Sequence, residues 1–81
     1  MGYTRFVCKS TSTSMVIDSK NSKDAAQEFV DWMMQGMYTV KLKKCNEREK
    51  NKFPDTTITV CKEDKPDKEE YFQYTSMMPK Y

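Results

Sequence analysis

Few side chains in this chain could do covalent or acid–base chemistry. The three cysteines, Cys8, Cys45 and Cys61, are far apart, form no CxxC pair and have no histidine anywhere to join them. A common zinc site needs such spacing and such partners. An odd count also leaves at least one thiol unpaired within the chain, so all three are expected as reduced thiols of a cytosolic protein, half-buried in strands. The missing imidazole removes the Ser/His and Cys/His nucleophile pairs and the usual acid–base group at neutral pH. Five carboxylates, Glu63, Asp64, Asp67, Glu69 and Glu70, crowd one stretch, but Lys62, Lys65 and Lys68 interleave them. Mixed charge of that kind belongs to a solvated loop rather than to a metal site. The only glycines, Gly2 and Gly36, cannot build a phosphate loop or a dinucleotide fingerprint. The expectation is a non-enzymatic protein with no catalytic residue, no cofactor and no metal.

What remains is binding chemistry, in two sets. The first is basic. Between Lys41 and Lys52 the chain carries Lys41, Lys43, Lys44, Arg48, Lys50 and Lys52 against Glu47 and Glu49. With Tyr71 on a neighbouring strand, these would offer phosphates or an acidic protein a positive sheet face carrying an aromatic ring. Arg5, Lys9, Thr57, Thr59 and Gln73 would share that face. Thr and Lys populate exposed sheet faces in any case, and the RNP-type aromatic motif is absent. The second set is apolar: Trp32, Met34, Met37, Met77, Met78 and Tyr81. Tryptophan, tyrosine and methionine are enriched where proteins meet, and they also fill cores. Self-association into a homodimer, or docking on a larger intracellular protein, would use this set.

These groups must be positioned by a small scaffold. Eighty-one residues make one domain with a thin core. Leu42 is the single leucine, and the interior must be filled by seven methionines, four phenylalanines and the aliphatic β-branched residues. The one clear helical period lies in 22–37. Ala26, Phe29, Val30 and Met33 recur as a core stripe, Met37 extends it and Trp32 and Met34 widen it. Asn21 or Ser22 caps its start, Gly36 ends it, and Gln27, Asp31 and Gln35 mark its wet side. Strands are expected at Tyr3–Lys9, Met15–Ile17, Tyr38–Cys45, Thr56–Cys61 and Tyr71–Thr75. Asn46–Lys52 reads as a charged hairpin tip, Lys65-Pro66-Asp67 as a turn, and 76–81 as a tail that docks on the domain or on a partner.

The expected fold is therefore two-layer α+β, one helix on an antiparallel sheet in the order ββαβββ. The last three strands would form a meander, because short connections make sequential strands neighbours. No secretory signal and no apolar run long enough to span a membrane is visible, which fits a cytoplasmic protein without membrane contact. A short, lysine-rich, single-domain chain without a catalytic set resembles accessory proteins of phages and mobile elements that act by binding a host factor. The resemblance implies a protein-binding module that inhibits or modulates a larger intracellular host complex. The alternative expectation is a nucleic-acid or nucleotide binder using the basic sheet face.

Overall fold

The computed structural model describes residues 2–35 and 38–79, and the side chains of all of these except 38–39 and 76–79. The elements run β1 (Thr4–Lys9), β2 (Ser14–Ser19), α1 (Ser22–Met33), β3 (Tyr38–Cys45), α2 (Glu47–Lys52), a 3-10 turn (Pro54–Thr56), β4 (Thr57–Lys62) and β5 (Lys65–Pro79). The described residues form an α+β fold of five antiparallel strands and two helices that is mostly sheet.

The strands lie in the order β2-β1-β4-β5-β3. The expected meander is therefore corrected: β5 lies between β4 and β3, so β3 does not pair with β4. A hairpin joins β4 to β5, and β3 then ladders along the far side of β5, with Leu42 opposite Tyr74 and Cys45 opposite Tyr71. The physical reason is the length of β5. Its fifteen residues offer two full edges, and β3 takes the one that β4 leaves free. The turn falls at Glu63-Asp64, where the Glu63 N–H donates to the Arg5 carbonyl at 2.9 Å. Lys65, Pro66 and Asp67 already belong to β5. Pro66, near the start of that strand, is where a missing ladder donor costs least. Residues 76–79 are likewise strand rather than tail, pairing with Tyr38–Val40 across a bulge between Thr39 and Val40.

The expected single-helix order ββαβββ is also corrected by α2. Residues 47–52 have no apolar stripe, but their polar signals are those of a helix. The Asn46 Oδ1 accepts the Glu49 N–H at 2.9 Å, Glu47 and Glu49 occupy the first turn, and Lys50 and Lys52 the last. An N-cap with charges set against the helix dipole holds one short helix without core burial.

Helix α1 starts as its sequence indicates, with the Asp24 N–H donating to Asn21 Oδ1 at 2.8 Å. It stops at Met33 rather than reaching Met37. Gln35 takes the left-handed conformation (φ 56°) expected of Gly36, and its N–H donates to the Trp32 carbonyl. Ala25, Ala26, Phe29 and Val30 are fully buried. They pack on Phe6, Cys8, Ile17, Val40, Leu42, Ile58, Val60 and Phe72 from the sheet, with Met15, Met33, Met34 and Tyr74 half-buried at the margin. Alternation along each strand separates this helix-covered face from an open one. Among the described residues no helix is long and apolar enough to cross a membrane.

Candidate functional site

Among the described residues, Trp32 and Met34 belong to the helix layer and most of the basic set to the opposite face of the sheet. On the helix layer, Trp32 is decisive. Its neighbour one turn back, Phe29, has no exposed surface, whereas Trp32 is 55% exposed. The two rings stack with centroids 6.5 Å apart and planes 13° from parallel. The indole is thus held on one face by a rigid core ring and open to solvent on the other. Its side of the helix follows from Gln27, whose Nε2 donates to Asp31 Oδ1 at 3.1 Å and, weakly at 3.5 Å, to the Val40 carbonyl of β3. Gln27 and Asp31 are therefore half-buried toward β3 and not a wet side. Five residues further on, Trp32 projects roughly 140° around the axis, away from β3.

The rest of the apolar set divides. Met34 is half-buried against the core. The side chains of Met77 and Met78 and all of Met37 and Tyr81 lie outside the described residues; the backbones of Met77 and Met78 are in β5. Among the described residues the apolar set is thus Trp32, exposed, and Met34, packed on the core. Exposed Val16 on β2 and exposed Tyr3 beside β1 are apolar positions that sequence reasoning passed over. The signal for Val16 was its alternation with Met15 and Ile17, which put it on the other face.

On the open layer, β3 presents Lys41 and Lys43, β5 presents Tyr71 and Gln73, and β1 presents Arg5 and Lys9, as alternation indicated. Thr57 and Thr59 share this face but are buried, because β4 is central and its short side chains lie below the longer ones of β1 and β5. The Thr57 hydroxyl also donates to the Phe53 carbonyl at 2.7 Å. Lys44 does not join the basic face. Its Nζ is 3.1 Å from Glu70 Oε1 on the helix side of the sheet. Burial pushes the Glu70 carboxyl up, but hydrogen bonds from Ser22 and Lys44 and the charges of Lys44 and Lys62 outweigh it, and the pKa is lowered. Arg5 is shared between Asp18 and Glu63, each at 3.6 Å.

Helix α2 brings Lys50 over the Tyr71 ring, 4.9 Å from its centroid, while the Tyr71 hydroxyl donates to Glu69 at 3.3 Å. That ring is thus capped by a cation rather than free to stack on a base. Lys52 lies over Phe53 at 5.5 Å, and Arg48 is exposed. Two shallow hollows open on this layer. One of about 340 Å³ is lined by Lys9, Ser10, Lys50, Thr57, Thr59 and Glu69; the other, of about 470 Å³, runs along Lys41, Lys43, Gln73 and Thr75 at the β3 edge.

The thiols point apart. Cys8 faces the helix and Cys61 the open side, both buried, while Cys45 is half-exposed. Burial raises the Cys8 pKa to about 12, helped by Cys61 and Glu28, so the thiol is neutral and unreactive at neutral pH. Among the described residues no three His, Cys, Asp or Glu side chains converge as a metal site would require. No family model matches this chain, and no curated protein or solved structure matches it.

Proposed function

We propose that this protein is a small, non-enzymatic protein-binding module that docks on a larger intracellular protein or complex and modulates or inhibits it. The observation that carries this is Trp32. A chain with a thin core and one tryptophan leaves that side chain more than half exposed while a fully buried ring holds it flat. A rigid, partly desolvated aromatic is the commonest kind of binding hot spot, because little side-chain entropy is lost when a partner covers it. The charged Lys41–Lys52 and Glu63–Glu70 segments, on other parts of the surface, would steer the encounter with a charged partner. Affinity capture from the cell of origin, run in parallel with W32A, tests it. A partner retained by the wild type and lost with the folded W32A variant supports the proposal; equal retention by both, or none by either, defeats it.

The alternative, nucleic-acid binding, is favoured by Lys41 and Lys43 flanking the hollow at the β3 edge. It weakens where Lys50 covers Tyr71 and Glu70 engages Lys44. Phosphate-driven binding to an oligonucleotide would fall steeply with salt and drop further in K41E/K43E. No binding at low salt excludes it.

A further inference from the structure

The two edges of the sheet are treated differently. The β3 edge has the features that keep an exposed strand from pairing: Lys41, Lys43 and Lys44 along it, a bulge at Thr39/Val40, and a glutamine reaching one of its carbonyls. The β2 edge has none of these. Its six residues, Ser-Met-Val-Ile-Asp-Ser, contain no lysine, no proline and no register shift.

Which backbone groups it presents outward can be read from the ladder. The Arg5 carbonyl accepts from Glu63, so the Arg5 backbone turns toward β4. Alternate residues Thr4, Phe6 and Cys8 then turn toward β2 and bond with their partners Ser19, Ile17 and Met15. The Ser10 N–H, donating to Thr13 across the hairpin loop, has the same parity. Ser14, Val16 and Asp18 are left with their N–H and C=O groups pointing outward.

At its centre that edge carries apolar side chains on both faces. On the open face the register sets Cys61 beside Val7 and Val7 beside Val16, an apolar row that runs out at Val16, 47% exposed. On the helix face, Ile17 is buried and Met15 half-buried.

We infer that β2 pairs with β2 of a second copy, antiparallel, about a two-fold axis at Val16. In that register Val16 meets Val16, and the row continues from Cys61 and Val7 of one chain through both valines into the other. Ser14 meets Asp18 of the second copy, a hydroxyl against a carboxylate, and Lys9, beside Ser14 in the same chain, comes within reach of that carboxylate. Three narrow pairs give about six main-chain hydrogen bonds, two per pair. On the helix face Met15 meets Ile17. The neighbouring registers are poorer. An axis at Ile17 sets Val16 against Asp18, and one at Asp18 opposes two carboxylates. The result is a continuous ten-stranded sheet with both α1 helices, and both Trp32 side chains, on one face. The inference stands apart from the proposed function: a dimer of this kind forms with or without a larger partner.

Sedimentation equilibrium under reducing conditions tests it, together with concentration-dependent hydrogen exchange. The expected result is a species of twice the chain mass at high protein concentration, with the Ser14, Val16 and Asp18 amides gaining protection as it forms. V16K places two ammonium groups on the axis, and S14D sets a carboxylate against Asp18 of the second copy; each is expected to weaken association at least tenfold. K41E/K43E, on the other edge, is expected to leave it unchanged. A wild-type chain that stays monomeric, or a dimer indifferent to both V16K and S14D, overturns the inference. A monomer that still captures a protein through Trp32 overturns only the dimer. A dimer that captures nothing overturns only the docking proposal.

Discussion

Replacing Trp32 by alanine separates a binding side chain from a structural one, and the structure sets the size of the effect. Burying a whole tryptophan covers on the order of 200 Å². With 55% of the residue exposed, somewhat under half is covered here. At roughly 25 cal/mol per Å² the lost burial is about 2.2 kcal/mol, an upper value because unfolded chains already bury some surface. Alanine returns up to about 0.7 kcal/mol in helix propensity. The net cost is about 1.5 kcal/mol, against roughly 3–5 kcal/mol for truncating a fully buried aromatic. At about 4–8 °C per kcal/mol, Tm should fall by roughly 6–12 °C with the cooperative transition intact. Urea melts followed by far-UV circular dichroism give the stability. The one tryptophan of the wild type reports its own exposure: it should emit to the red and be quenched readily by iodide in the folded state. A loss above about 4 kcal/mol, or emission shielded from iodide, would mean that Trp32 is core and would remove the reason for placing a docking surface there.

Asn46→Ala should melt α2 and cost about 1 kcal/mol, since the cap is the main feature holding a helix with no buried residue; the loss should appear as faster amide exchange at 47–52 before any global change. A neutral thiol reagent should modify Cys45 in the native state and reach Cys8 and Cys61 only on unfolding. Unfolded Cys8 titrates near its ordinary value of 9.0 and folded Cys8 near 12, so the native state loses stability as pH rises through that window; C8A should flatten that part of the Tm–pH curve. Glu70 works in the opposite sense. Its lowered pKa contributes stability above the ordinary value of 4.5, and that contribution is lost as pH falls through the folded value. E70Q should remove that acid-side slope, and because the group is partly exposed, added salt should shrink it.

The core stripe of α1, its Asn21 cap and the inward or outward sense of β1, β3, β4 and β5 were legible because each rests on local periodicity or on one short-range hydrogen bond. Ala26, Phe29, Val30, Leu42, Ile58 and Phe72 all lie where period 3.6 or period 2 puts them. Strand order was not legible. Nothing local distinguishes β3-β4-β5 from β4-β5-β3; the choice depends on β5 extending through Glu69-Glu70 and Met77-Met78, stretches whose composition suggests loop and tail. Helix α2 was missed because a purely charged segment has no hydrophobic period, although Asn46 with Glu49 three residues on is a capping signal that could have been used. In the basic set, alternation found Lys41, Lys43 and Tyr71 but could not show that Lys44 turns to Glu70 or that Lys50 covers Tyr71. Both contacts cross between elements far apart in sequence.

The interior place of β5 has a consequence for how the sheet is assembled in time. β3 is synthesised well before its only sheet partner, with all of α2 and β4 lying between them. β1 must likewise wait for β4 before its second edge is filled. Only the β1–β2 and β4–β5 hairpins can close early, and loop-closure entropy opposes every other ladder until both exist. Until β5 threads between β4 and β3, the nascent chain carries β3 as an unpaired, alternating strand. Its lysines then act as gatekeepers during folding, holding that strand in solution until the centre of the sheet arrives.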